Sequence, residues 1–249
     1  MRFQNKTVAI TGGNSGIGLE TAIAFKDQGA NVAIFGRNAE TLAAAQQAHG
    51  FLTIQGDVTN RADLDAFFAT TKEQFGKVDV VFSNAGIAEF LPFEAADAAH
   101  LDRTLDINVK GVFHTVQAAL AVINDPASII LTTSVANVSG DPNMSVYAAS
   151  KAAVSTFART LSTELLPKGI RVNSICPGPT DTPIFDKMGM DAETTVATKE
   201  FIKTRMPVGR MGTAADIAHA VLFLASDESA FIVGSEITAD GGFINCAVA

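Results

Sequence analysis

TVAITGGNSGIGLETA, residues 7–22, is the stretch on which the fold turns. Residues 7–11 are β-branched or apolar and read as a strand, and residues 17–28 carry a helical pattern. Thr11, Gly12, Gly16 and Gly18 fall at the junction between them. Glycine there lets the chain turn tightly and lets a pyrophosphate approach the backbone, against the free N–H groups and positive end of the helix. Strand, glycine-rich turn and helix together read as the opening unit of a dinucleotide-binding α/β fold.

Working outward, the same alternation continues. Strands are expected at 31–35, 52–55, 78–83, 128–133, 171–175 and 234–239, and helices at 40–48, 62–75, 101–123, 146–165 and 214–225. Such a βαβ series implies a Rossmann-like, doubly wound parallel sheet of about seven strands, with helices on both faces and right-handed crossovers. No repeat or linker interrupts it, so the 249 residues are expected to form a single domain, 1–249. The rhythm breaks only after Cys176, where residues 177–207 hold four prolines, three methionines and an amphipathic stretch at 194–203. An excursion there, outside the carboxyl end of a strand, is where a lid over a substrate is expected, at about 183–207.

Composition narrows the partners. Hydrophobic residues make up 47% and charged residues 18%, which suits a buried sheet. The net charge of −8, with no basic stripe, disfavours nucleic acid and anionic membranes. The apolar runs near the N-terminus and at 220–225 are too short for a signal-peptide core or a membrane span, so a cytoplasmic location is expected. Cys176 and Cys246 have no metal-ligand spacing, and His49, His100, His114 and His219 are scattered, so no metal is expected.

Three motifs in order, T-G-x-x-x-G-x-G at 11–18, S-N-A-G at 83–86 and Y-x-x-x-K at 147–151, resemble the short-chain dehydrogenase/reductase family. The resemblance runs from about residue 6 to 242, with Ser83 in place of that family's commoner asparagine. It implies a nicotinamide cofactor held by the first turn, Thr11, Gly12, Asn14, Ser15, Gly16, Ile17 and Gly18. The second strand ends in VAIFGRN, with Gly36 where NAD-specific members commonly carry aspartate and Arg37 next to it. A 2′-phosphate needs that acid absent and an arginine nearby, so NADP(H) is the expected cofactor. Many NADP-using members also have a basic residue in the glycine turn, where this chain has Asn14 and Ser15. The resemblance further places Asp57 and Val58 at the adenine, and Asn84, Ala85 and Gly86 at the end of the fourth strand beside the cofactor. It puts Pro177 and Gly178 beside the nicotinamide, and Thr180 and Thr182 at its carboxamide or the phosphates.

Tyr147 is the only tyrosine in the chain, against seventeen phenylalanines. Lys151, four residues on, shares its helix face. A free phenol with pKa ~10 is a poor proton shuttle near neutrality, and a neighbouring ammonium is expected to lower that value. Ser134 stands thirteen residues before Tyr147, as the family pattern requires, and is expected to hydrogen-bond the substrate oxygen. Asn108 matches the family's fourth active-site residue, expected to support a water chain reaching Lys151, and an amide there is also compatible with kinking its helix by bonding to backbone. The resemblance implies hydride transfer between NADP(H) and a ketone or secondary alcohol, with Tyr147 as general acid/base and Lys151 also at the nicotinamide ribose.

Phe90, Leu91, Phe93, residues 135–144, Phe185, Met188 and Met190 are expected pocket walls, mostly apolar, which favours a moderately hydrophobic ketone. The alternative within the family is a 3-oxoacyl-acyl-carrier-protein reductase, disfavoured because the INDPAS segment before the fifth strand lacks the basic residues that would dock an acidic carrier. A non-catalytic dinucleotide-sensing protein is the alternative of another class, opposed by the presence of Asn108, Ser134, Tyr147 and Lys151 together. Relatives ending in a segment like ADGGF, here 239–243, imply a homotetramer through the long helices and last strand.

Overall fold

The computed structural model describes residues 1–184 and 191–247. Nine strands are present among them: β1 Thr7–Thr11, β2 Asn31–Gly36, β3 Leu52–Gln55, β4 Val78–Ser83, β5 Ile123–Thr132, β6 Ile170–Pro177, β7 Thr180–Asp181, β8 Gly212–Thr213 and β9 Glu236–Ala239. The helices are α1 Gly16–Asp27, α2 Ala39–His49, α3 Arg61–Phe75, α4 Ala98–Leu105, α5 Gly111–Ala119, α6 Ser145–Leu165, α7 Ala192–Thr204 and α8 Ala214–Ala225.

Seven strands form one parallel sheet in the order β3-β2-β1-β4-β5-β6-β9, while β7 and β8 pair separately. Alternate side chains of each strand leave on opposite faces. On β1 and β5, Ala9, Ile129 and Leu131 join one apolar layer with α3, α5 and α6, whereas Val8, Ile10 and Ile130 join the other with α1, α2 and α8. Both faces are covered, which is why the strands read as continuous apolar runs. Leu64 and Phe67 of α3 are wholly buried, and each such side chain contributes about 1.5–3 kcal/mol.

The strand order reverses between β1 and β4, and ligands of open α/β sheets bind in the crevice that such a reversal leaves beyond the carboxyl ends of the strands. The turn after Thr11 and the turn after Ser83 meet there: a Cβ added to Gly12 would lie 2.9 Å from the Cα of Ala85.

Two elements differ from the sequence expectation. The helix expected at 101–123 starts at Ala98, is interrupted by a π turn at Asp106–Lys110, and ends at Ala119. The fifth strand, expected at 128–133, begins at Ile123, so the whole of INDPAS lies within β5 and not in a loop before it. Val122 and Ile123 are buried, which draws this segment into the sheet, and the ladder to β4 shifts register between the pairs Val78–Ile123 and Val80–Ser128, a stretch of β5 that contains Pro126, which has no N–H to give.

Candidate active site

The crevice is assembled from hydrogen bonds between strand ends. The buried Thr11 hydroxyl accepts the backbone N–H groups of Asn84 (3.2 Å) and Ala85 (3.3 Å), and the Asn84 amide donates to the Gly12 carbonyl at 3.3 Å. Thr11 therefore ties the β1 turn to the β4 turn. Gly18 has no alternative: a Cβ there would overlap the Gly12 carbonyl oxygen. Thr182 lies against Gly16, 3.5 Å from where its Cβ would be, so the segment after β6 reaches the glycine turn. Thr180 is buried and donates to the Gly178 carbonyl at 2.9 Å, and Gly178 is pressed against Asp240.

A dinucleotide fits this cradle on two observations. Side chains of Asn38, Asn60, Asp97, Asp191 and Thr213 cap their own helices, but Ser15, at the N-cap of α1, makes no such bond. The first N–H groups of α1 thus remain available to phosphate oxygens, with the helix dipole favouring negative charge. Gly12, Gly18 and Gly86 also leave the space that side chains would fill; a Cβ on Gly86 would stand 3.1 Å from Asn108 Oδ1 and 3.4 Å from Lys151 Nζ.

After β2, Arg37 is exposed, its guanidinium 3.8 Å from Asp57 Oδ2, and its carbonyl accepts the Gln55 amide at 2.9 Å. The other Asp57 oxygen accepts the Thr59 N–H and hydroxyl, both at 2.9 Å, and so builds the turn into α3. Val58 is buried against Gly111, and Ile17 packs on the layer beneath α1.

Tyr147 and Lys151 lie near the start of α6. Ser134 stands near enough to the Tyr147 hydroxyl to favour its phenolate, and Lys151 Nζ lies 5.9 Å from the centre of the Tyr147 ring. Lys151 is only 4% exposed and donates to the Thr132 carbonyl at 3.0 Å. Burial lowers its pKa to about 8. For Tyr147 the outcome corrects the expectation: its pKa is raised, because burial outweighs the effect of Ser134, which lowers it. The Lys151 ammonium is directed at the Thr132 carbonyl instead of at the phenolic oxygen.

Asn108 sits in the π turn with its amide fully engaged. Its Oδ1 accepts the Ile87 N–H at 2.8 Å, and its Nδ2 donates to the Ile87 carbonyl at 2.9 Å and to Ser150 Oγ at 3.1 Å. Ser150 in turn donates to the Tyr147 carbonyl at 2.6 Å. The π turn thereby carries Asn108 to both the β4 turn and the first turn of α6. Ser150 and the Thr132 carbonyl were missed by the sequence reading. Neither has a motif of its own, and a backbone acceptor leaves no residue signature.

The Phe90 ring packs edge-on against Tyr147, with centroids 5.5 Å apart, so one expected pocket wall lies beside the phenol. Phe93 and Val138 are exposed. Phe185, Met188 and Met190 lie outside the described residues. The α7 helix is tied down by Lys199–Asp181 at 2.7 Å and Arg205–Asp141 at 3.8 Å, the latter reaching the loop between Ser134 and Tyr147.

The family description "Enoyl-(Acyl carrier protein) reductase" matches residues 12–244, which include every one of these site residues except Thr11. The chain belongs to the short-chain dehydrogenase/reductase family. Members of this family use a nicotinamide dinucleotide, and the chain is an oxidoreductase of the family. It is 36% identical over 248 residues to 2-(S)-hydroxypropyl-CoM dehydrogenase 3 of Xanthobacter autotrophicus, covering 97% of each chain. It is 33% identical over 254 residues to the 3-oxoacyl-acyl-carrier-protein reductase of Thermotoga maritima, covering 98% of this chain and all of that one. The crystal structure of levodione reductase superposes with a TM-score of 0.91 at 35% identity, over 97% of this chain and 98% of that one. Among the described residues of this dehydrogenase/reductase no cluster of metal-ligating side chains occurs, and no helix is long and apolar enough to cross a membrane.

Proposed function

We propose that the chain is an NADP(H)-dependent carbonyl reductase that interconverts ketones and secondary alcohols, with Tyr147 as general acid/base. The observation that carries the reading is the buried Lys151, its Nζ 5.9 Å from the centre of the Tyr147 ring, beside the glycine turns that leave room for a dinucleotide. When bound, the nicotinamide supplies the hydride in reduction and accepts it in oxidation. Tyr147 holds its proton at neutral pH because its pKa is raised, which is the form that donates to a carbonyl oxygen as it gains negative charge. Ser134 orients that oxygen, and Lys151 places a positive charge beneath the phenol as the phenolate forms. Asn108, through Ser150, fixes the first turn of α6 on which Tyr147 rides.

Support for NADP(H) is the missing acid at Gly36 and the exposed Arg37, whose loose pairing with Asp57 a phosphate would replace. In this reading the segment around 183–207 closes over the substrate, with α7 held by its two ion pairs. Phe90 and its apolar neighbours favour a ketone with a hydrophobic substituent. The homotetramer is part of the same proposal: Phe113 and Leu120 of the α5 region are exposed, at 46% and 36%, on the face that the long helices would share. NADPH consumption with free ketones, and with a β-ketoacyl thioester alongside, tests the reading. Turnover of the thioester alone would move the chain to acyl-chain reduction, and cofactor binding with no turnover of any carbonyl would make it a sensor.

A further inference from the structure

We propose that Asn14 determines cofactor selectivity: it occupies the space that an acidic side chain at position 36 would need, and so holds the adenosine site to a 2′-phosphate. The inference rests on the NADP(H) reading above and goes beyond it by naming the residue that enforces it. A Cβ built on Gly36 would lie 2.7 Å from Asn14 Cγ, 3.2 Å from its Nδ2 and closer still to its Oδ1. Non-bonded carbons rest ~3.5–4.0 Å apart, so even an alanine at 36 collides with the amide.

The end of a side chain ordinarily swings away from such a collision, but this one is held. Asn14 Nδ2 donates to Thr41 Oγ1 at 2.7 Å. Thr41 is fixed in the first turn of α2, its N–H on Asn38 Oδ1 at 2.9 Å and its hydroxyl on the Asn38 carbonyl at 3.2 Å. Displacing Asn14 therefore breaks the bond that joins the glycine turn to the cap of α2. Glycine at 36 and asparagine at 14 form one unit: the first leaves the room, and the second fills it. With no carboxylate at position 36, the charge beside it is Arg37, whose loose pairing with Asp57 leaves it free to favour a phosphate.

The test uses the full-length chain and its Gly36→Asp, Asn14→Ala and doubly substituted variants. NADPH and NADH dissociation constants are measured by fluorescence titration without substrate. Gly36→Asp alone is expected to weaken NADPH at least about tenfold while leaving NADH within about twofold, and adding Asn14→Ala is expected to tighten NADH about tenfold. If Gly36→Asp alone tightens NADH as much as the double variant does, or the folded double variant gains nothing, the proposal is overturned. A wild-type chain that prefers NADH would refute the NADP(H) reading, a result separate from the coupling. Melting temperatures of Gly36→Ala with and without Asn14→Ala, taken without cofactor, keep the test open where the aspartate variant does not fold. Asn14→Ala should recover part of the loss that Gly36→Ala causes, and an equal loss in both backgrounds would contradict the overlap.

Discussion

Tyr147 and Lys151 show how burial sets charge at the scale of single residues. Replacing Tyr147 by Phe keeps the ring against Phe90 but removes the proton donor, so the catalytic rate should fall ~10²–10⁴-fold while melting temperature and cofactor affinity hold. Lys151 carries its charge below a pKa of about 8 and loses it above. Ketone reduction, which needs the phenol protonated and the ammonium charged, should therefore hold steady at neutral pH and decline as pH rises through about 8. Alcohol oxidation, which needs the phenolate, should rise with pH; a pH–rate profile in both directions checks this. Cys176 gives a stability test of opposite origin. Burial raises its thiol to about 11 from an ordinary 9.0, so the folded state keeps a proton that the unfolded chain has lost between those values. Its contribution is complete below pH 9 and lost as pH rises to 11. Urea midpoints of Cys176→Ala should fall less over that window than those of the wild type.

At the scale of elements, the π turn and the helix caps are the points where a small change has a local readout. Asn108→Ala removes three hydrogen bonds and leaves the half-buried Ile87 N–H and carbonyl without their partner, a loss of about 1–2 kcal/mol in urea unfolding, together with slower catalysis. Thr213→Ala breaks the capping box with Asp216 at the start of α8 and should cost about 1 kcal/mol with catalysis preserved. The strands and most helices were legible because a sheet buried on both faces writes itself as short apolar runs between amphipathic ones. The π turn was not legible: LDINVKGVF carries ordinary helical periodicity, and the extra residue in its turn follows from the bonds Asn108 makes to Ile87. The start of β5 was hidden because Asn124, Asp125 and Pro126 have turn chemistry, while the burial of Val122 and Ile123 that overrides it is a tertiary effect. The side chains proposed for catalysis stood out in the sequence as a spacing. The upward shift of Tyr147 was not, because it depends on how deeply the phenol lies.

At the scale of the whole molecule, the reversal of strand order between β1 and β4 brings together a glycine turn, an asparagine turn and the first turn of α6 from three distant parts of the chain. The exposed Phe113 and Leu120 belong to this scale too. Light scattering should give about four times the 26.0 kDa chain mass, and Phe113→Glu should lower it. The most direct test of the account is NADPH oxidation with a panel of free aryl and aliphatic ketones, run with wild type and Tyr147→Phe. The account predicts turnover that prefers NADPH to NADH and collapses in the variant while NADPH still binds. Undiminished turnover in Tyr147→Phe would contradict it.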